Sequence, residues 1–437
     1  MLLKYSVSNF KSIGHNIEFS MLPLENNCDD KFLTEIETVV GKMKILKRGA
    51  FFGPNASGKT SFINSLDFAV KYILDGPQGS SFTRVNQFRG ELESLDGLTT
   101  FQFMILVDKQ IYTYGFSLDK NYVHEEWLEI LGANGYESMF ERHTNENKIT
   151  SITLSSQYAE KKSKERQLAE LLTESIKEKQ AAHLFLKKLA ENGSEKGDIV
   201  YSWFGNIRII YPSYSFQNLP FIIRENKEFR DFLSNSLSAI DTGINQVSTS
   251  ENMDLNEFSE KYKISSKIIK DIETSESGAI RIRGKYFHYM DGNVLRIEFE
   301  HSLNNKSVKF NLEDESDGTQ RIIDLLPLLF KSENNDANLI FIVDELDRSL
   351  HTKLTKYIVS HFIQSDNRCQ LIFTTHDVNL LNLKLFRQEE IWFIDKNLNG
   401  ESILKPFSDF DVENEEDVLK DYLAGRFGAV PVIKGEI

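Results

Sequence analysis

The consecutive residues Gly53, Pro54, Asn55, Ala56, Ser57, Gly58, Lys59 and Thr60 have the types and spacing of a phosphate cradle, G-x-x-x-x-G-K-[ST]. A triphosphate is bulky and strongly negative, so successive backbone N–H groups must curl around it. Glycine at positions 53 and 58 permits that close approach. Lys59 is expected to bring a point charge to the β and γ oxygens, and Thr60 a hydroxyl ligand to Mg²⁺. Ser61 carries the set into a helical pattern whose dipole adds positive potential. A Gly-rich turn that binds nothing could carry the same letters. The apolar run KILKRGAFF before it and the helical pattern Lys59 to Leu74 after it give the strand, loop, helix order that phosphate binding needs.

Two further apolar runs end in residues that could complete the chemistry. LIFIVDELDRSLH ends its strand at Asp344 and Glu345. Asp344 is expected to hold the Mg²⁺ ion, directly or through water, and Glu345 to act as general base on the attacking water. Two carboxylates at an exposed strand end would be the plainer account; the Gly53–Thr60 loop in the same chain favours the catalytic one. QLIFTTHD repeats the design, its strand ending at Thr374 and Thr375 and delivering His376 as a candidate γ-phosphate contact. Glu345, His376 and Lys59 are thus the candidate catalytic residues. Ser316, in ESDGTQR, reads as a helix cap, and a cap with outward-facing N–H groups is also an anion site.

These positions must be carried by recognisable elements. Leu3 to Phe10 and the stretch Ile17 to Met21 read as strands, and Thr99 to Leu131 as an antiparallel meander rich in aromatic and β-branched residues. Gln157 to Glu191 is helix-like and dense in Lys and Glu, the pattern of a solvated helix, and two further helical stretches cover Lys227 to Ala239 and Asn256 to Glu273. Strands return over Ile280 to Phe310. The last third alternates helix (Thr319 to Lys331), strand (Asn338 to Val343), helix (Leu350 to Gln364) and strand (Gln370 to Thr374), the mark of a parallel sheet covered by helices. The expected fold class is α/β: a P-loop parallel-sheet core plus an antiparallel β subdomain. The expected organisation is an N-terminal lobe over 1–150, a helical insertion over 151–278 and a C-terminal lobe over 279–437. The acidic stretch SDFDVENEEDVLKD precedes YLAGRFGAVPVI, whose glycines and proline suggest a folded-back end.

Composition narrows the class. With 437 residues, 40% of them hydrophobic, the chain can bury a large core without disulfides. Its two cysteines, Cys28 and Cys369, have neither disulfide nor metal spacing, which suggests a reducing compartment and a cytoplasmic location. The N-terminus does not read as a signal peptide, and no apolar run is long enough to predict a membrane span. A net charge of −14 argues mildly against a surface coated for direct DNA binding.

The order Asn9-Phe10-Lys11-Ser12, GPNASGKT, helical insert, ESDGTQR, IVDELD, TTHD resembles the ABC ATPase heads of the SMC, Rad50 and RecF type, at both ends of the chain. The resemblance implies ATP and Mg²⁺ as ligands and a homodimer or higher homo-oligomer. In it, Ser316 and Gly318 contact the γ-phosphate held by another copy, and Asp347 sits at the dimer interface. Asp317 departs from the commoner LSGGQ form of that signature. The Q-loop glutamine of the family has no clear counterpart; Gln87 is a weak candidate. Among such heads the likeness is closest to small stand-alone ATPases of bacterial abortive-infection, anti-phage systems of the RloA/AbiL type, on the short insert, DELDRSLH and the YLAGRFGAVP end. That implies a separate nuclease-like effector as partner, with nucleic acid or a phage component as candidate trigger. A DNA-repair head that binds DNA directly, an effector activity built into the middle segment and a transporter ATPase are the competing readings. The absent metal or nucleophile constellation in the insert opposes the second. The N-F-K-S start, the meander and the atypical signature oppose the third.

Overall fold

A computed structural model describes all residues except 25–29, 78–86, 91–96, 146, 157, 161, 180, 214–217, 241, 275–276, 305, 334–337, 365–367, 413–416 and 431–437. Cys28, Gln157 and parts of the acidic stretch and the C-terminal end therefore lie outside the described residues. The chain divides into two compact units: Met1–Tyr211 with Asn335–Leu346 and Val359–Ile437, and Pro212–Asn334 with Asp347–Ile358. The segment 151–278, expected as one helical insertion, is divided between them at Tyr211. Among the described residues, no helix is long and apolar enough to cross a membrane.

The first unit contains two large sheets. An antiparallel seven-stranded sheet has the spatial order Thr150–Leu154, Gly135–Thr144, Val123–Gly132, Gln110–Leu118, Thr99–Val107, Leu2–Ser8, Ile17–Ser20. It includes the expected meander, and the hairpin formed by its first two strands extends that meander. A six-stranded sheet has the order Ile207–Ile210, Ile340–Val343, Gln370–Thr374, Arg48–Phe52, Ile391–Lys396, Ser402–Pro406, parallel except at its last pair. The central strands of this sheet are buried along their whole length, which is why they read as continuous apolar runs rather than alternating ones.

The helix Lys59–Asp75 packs against both sheets through one aromatic cluster. Phe62 meets Tyr5 and Phe19 of the antiparallel sheet and Phe51 of the parallel sheet, with the Phe51 centroid at 4.7 Å. Gly49 lacks the Cβ that would come within 2.6 Å of the Phe19 ring. Gln370 ties the sheets by polar means. Its Oε1 accepts from the Leu2 N–H at 2.7 Å, and its Nε2 donates to the Leu2 carbonyl at 3.0 Å, so a side-chain amide stands in for a strand neighbour.

The strand before the phosphate loop is anchored by a buried ion pair. Arg48 Nε and Nη2 donate to the two Glu390 carboxylate oxygens at 3.0 and 2.7 Å, and neither side chain is exposed. Arg387 N–H also donates to Glu390, and Arg48 reaches the Leu385 carbonyl. Replacing Arg48 with Met leaves the Glu390 carboxylate buried without its countercharge, and the expected loss is about 3–5 kcal/mol of stability. Urea denaturation measures it, and a loss below about 1 kcal/mol would show the pair to be dispensable.

The expected helix Gln157 to Glu191 is instead two, Lys164–Lys179 and Phe185–Glu191. The break has a tertiary cause. Buried Glu126 accepts the N–H groups of Phe185 and Leu186 at 2.7 and 2.9 Å, capping the second helix. Its partner Arg142 takes the Ala181 and His183 carbonyls, so the backbone between the helices is bonded away from helical geometry. The described part of the C-terminal end, which stops at Val430, does fold back. Phe393 stacks on Tyr422 and Phe427, Tyr422 Oη donates to the Ala429 carbonyl at 2.7 Å, and Ala429 N–H donates to Asp395.

The second unit is built on an antiparallel sheet ordered Ile244–Asp254, Asn293–Leu303, Lys285–Met290, Ser277–Ile282, with Lys306–Asn311 also paired to Asn293–Leu303. The helix Asp317–Glu333 packs on Lys227–Ala239, where Phe330 meets Phe229 and Phe232. The helical stretch expected over Asn256 to Glu273 breaks at Lys263, which adopts φ 52° and ends the helix Leu255–Tyr262. Ser266–Glu273 resumes it.

Candidate functional site

Parallel pairing aligns three strand ends in the first unit. Val343 lies opposite Phe373, and Thr374 opposite Phe51. The residues that follow, Asp344-Glu345, Thr375-His376 and Gly53, therefore leave the sheet at its common C-terminal edge, on adjacent strands about 4.8 Å apart. That edge is where open parallel sheets bind ligands.

The loop itself is shaped by close approach. A Cβ on Gly53 would lie 2.2 Å from the Ile394 carbonyl oxygen. Gly58 has φ 117° and would place a Cβ 2.0 Å from Ser402 Oγ. Ala56 adopts φ 63°, a left-handed turn held by a non-glycine residue. Lys59 is 5% exposed, and its Nζ donates to the Gly53 and Pro54 carbonyls at 2.6 and 2.9 Å, which holds the ammonium at the loop's mouth. Asn55, Ala56 and Thr60 are exposed, Pro54 and Ser61 half-buried and Ser57 buried. The N-terminus of the helix Lys59–Asp75 adjoins the same loop, where its dipole favours an anion. A glycine loop packed closely on Ile394 and Ser402, with a buried ammonium beside it, fits a polyphosphate.

Asp344 is 2% exposed and accepts a 2.6 Å hydrogen bond from the Thr374 hydroxyl. The same hydroxyl accepts from the Glu345 N–H at 2.8 Å, and Leu346 N–H donates to the Thr374 carbonyl. Thr374 thus fixes the acidic turn from the neighbouring strand. Glu345 itself is half-buried with φ 50°. A left-handed glutamate costs about 1 kcal/mol or more, and such strain collects at functional sites. His376 is exposed at the end of its strand. A buried carboxylate on this edge and the exposed Thr60 hydroxyl fit the hard oxygen donors that Mg²⁺ takes together with substrate phosphates.

Sequence reasoning did not single out Thr374 for this role, nor Tyr211. Tyr211 follows the strand Ile207–Ile210 and donates to Asn64 and Asp67 of the Lys59–Asp75 helix at 2.9 and 3.1 Å. Burial, the Asp67 carboxylate and Asp344 push its phenol well above the ordinary range, so it stays a neutral donor. The N-F-K-S element divides its labour. Asn9 is buried, its side chain bracing the backbone at Phe88 and Leu98 and its carbonyl accepting the Thr99 hydroxyl, while Phe10 packs on Phe68 and Phe101. Ser12 Oγ lies 2.8 Å from Ser402 Oγ, which donates to the Ser57 carbonyl at 2.7 Å. This bracket joins the first turn of the chain to the phosphate loop. A pocket of about 620 Å³ opens beside it, lined by Lys11, Ser12, Gln87, Arg89 and Lys396 among others. Gln87 lines that basic pocket and donates to the Gly97 carbonyl. Burial lowers the Lys11 ammonium below its usual range, with Asp67 opposing the shift.

Ser316, Gly318 and Asp347 belong to the second unit. Ser316 Oγ accepts the Thr319 N–H at 3.1 Å, so it is an exposed cap of the Asp317–Glu333 helix. Gly318 has no Cβ because one would lie 2.7 Å from the Ser349 carbonyl oxygen. The segment after Asp347 therefore packs directly on the start of this helix, with Ser349 at φ 60°. Asp347 is half-buried, and its N-terminal neighbours Asp344 and Glu345 belong to the first unit.

A family model described as "AAA domain, putative AbiEii toxin, Type IV TA system" matches residues 50–382. Two solved structures are similar. One is the SMC head domain from Thermotoga maritima, 14% identical, with 94% of this chain and 99% of that chain covered at a TM-score of 0.39. The other is an SMC head bound to the C-winged-helix domain of ScpA, 11% identical, with 94% and 98% covered at a TM-score of 0.43. No curated protein matches the chain.

Proposed function

The chain belongs to the AAA-domain family whose model spans residues 50–382, and on that premise we propose that it binds and hydrolyses ATP with Mg²⁺ at sites completed by a second copy of itself. The observation that carries this reading is the alignment of Gly53, Asp344-Glu345 and His376 on one edge of the parallel sheet. Ser316, Gly318 and Asp347 belong to the other unit, where Ser316 is exposed and Gly318 and Asp347 are half-buried.

In this reading Gly53, Pro54, Asn55, Ala56, Ser57, Gly58 and Ser61 supply loop and helix N–H groups to the phosphates, and Lys59 supplies the charge. Thr60 and Asp344 would hold Mg²⁺, which neutralises charge on the β and γ oxygens when bound. Glu345 orients a water on the γ-phosphorus and takes its proton as the new P–O bond forms and the bond to the ADP oxygen breaks. His376 donates to a γ oxygen and fixes the water's approach. Ser316, Gly318 and Asp347 of one copy cover the phosphates held by the other. Covering excludes water and strengthens each contact. ATP then acts as a switch ligand, because it favours the paired state and its hydrolysis removes the group that bridges the copies.

The family description names a toxin of a type IV toxin–antitoxin system. That wording supports a toxin–antitoxin, abortive-infection setting; within it, we infer that the chain is the cytoplasmic sensor ATPase of an anti-phage system that controls a separate nuclease-like effector, with nucleic acid or a phage component as its trigger. A repair-type head that binds DNA directly is the second reading, favoured by the basic lining of the pocket at Lys11, Arg89 and Lys396. A steep loss of DNA affinity with salt would distinguish it. The pairing itself is tested by light scattering of the full chain. Added ATP and Mg²⁺ should double the mass, and a mass unchanged at saturating ATP would reject it.

A further inference from the structure

Within the second unit a cavity of about 360 Å³ runs along one face of the Asp317–Glu333 helix. Gln320, Arg321 and Asp324 share that face at the three- and four-residue spacing of neighbouring helical side chains. Tyr286 and His288 line the cavity from the strand Lys285–Met290, and Arg348 lines it from the segment after Asp347. Arg321 and His288 are 5% and 4% exposed, so the cavity reaches deep into the unit. The remaining lining includes aliphatic side chains such as Leu312 and Ile323.

This volume falls in the range of small-molecule sites and is too small for a folded peptide. Two guanidinium groups offer the forked donors that match phosphate oxygens. The Tyr286 and His288 rings and the aliphatic wall suit a flat heterocycle, while Gln320 and the Asp324 carboxylate can pair with base N–H groups and ribose hydroxyls. Asp317 also lines the cavity. The two carboxylates offset the two arginines, so the lining has no excess positive charge and disfavours a polyphosphate more than a monophosphate. We propose that this cavity binds a nucleoside monophosphate, at a second nucleotide site none of whose lining residues belongs to the Gly53–Thr60 loop.

The site would also regulate. Gln320 and Arg321 stand on the helix that begins at Ser316 and Gly318, and Arg348 adjoins Asp347, so an occupant touches both elements assigned above to the partner's ATP. This coupling rests on that assignment; the binding does not. Linkage makes it reciprocal, with ATP and the monophosphate shifting each other's affinity by the same factor.

Isothermal titration of AMP, GMP, CMP and UMP into the full chain carrying Lys59→Ala tests the site with the phosphate loop weakened, and variants in the cavity assign the binding to the cavity. At least one monophosphate should bind, and Ala279→Trp should weaken it about tenfold or more by obstructing the cavity at an exposed position that lines it. Arg348→Ala, at another exposed position, should do the same. Absence of binding by all four overturns the proposal, as does affinity unchanged by either variant, or inorganic phosphate binding as tightly as the best monophosphate. Because light scattering with ATP is read on the unaltered chain, failure here is distinguishable from failure of the pairing.

Discussion

Glu345→Gln is expected to lower ATP turnover by about 10²–10⁴-fold while ATP binding and ATP-dependent pairing persist. Glutamine keeps the size of the side chain but cannot take the proton of the attacking water. The turn that carries it should survive, because it is fixed through backbone: Glu345 N–H donates to Thr374 Oγ1 and Leu346 N–H to the Thr374 carbonyl. The φ of 50° disfavours glutamine as much as glutamate, so the substitution is neutral toward that strain. Steady-state phosphate release and light scattering read the two halves of the expectation. Turnover at the unaltered rate would remove Glu345 from the role of base. Lost pairing with intact nucleotide binding would mean that the carboxylate is needed for closure rather than for chemistry.

Lys59→Ala has the second large effect, on affinity. The buried ammonium is held by two loop carbonyls, so its position is set before any phosphate arrives. Two charge-assisted hydrogen bonds to phosphate oxygens are worth about 3 kcal/mol or more together, roughly a hundredfold in Kd. Alanine also releases the Gly53 and Pro54 carbonyls from their shared donor, which loosens the cradle. Titration with a fluorescent ATP analogue measures the change, and a Kd within about twofold of the unaltered chain would contradict it.

What the sequence made legible were features encoded in short contiguous runs. The Gly53–Thr60 loop, the strand ending at Asp344 and the strand ending at His376 each announce themselves within about ten residues, through apolar runs that a doubly covered parallel strand requires. What it hid were contacts made between distant residues. Nothing near Thr374 signals that its hydroxyl serves Asp344, and nothing near Ser12 signals Ser402, 390 positions away. The Arg48–Glu390 pair and the Gln370 bridge are invisible for the same reason. Local pattern also misled where tertiary bonding won. The stretch up to Glu191 has helical spacing throughout, yet Glu126 and Arg142 from the antiparallel sheet claim its backbone groups and split it. At Gly318 the glycine reads as part of a motif, whereas its close approach to the Ser349 carbonyl appears only in three dimensions.

Mixing two inactive variants tests the shared pocket most directly. Lys59→Ala disables the phosphate loop, and Ser316→Arg blocks the surface that covers the partner's phosphates. Each alone should hydrolyse ATP at about one hundredth of the unaltered rate or less. In a mixed pair both defects fall on one pocket and leave the other whole, so an equal mixture should regain about a quarter of the unaltered turnover. Full activity of Ser316→Arg by itself, or a mixture no more active than its components, would contradict catalysis in trans.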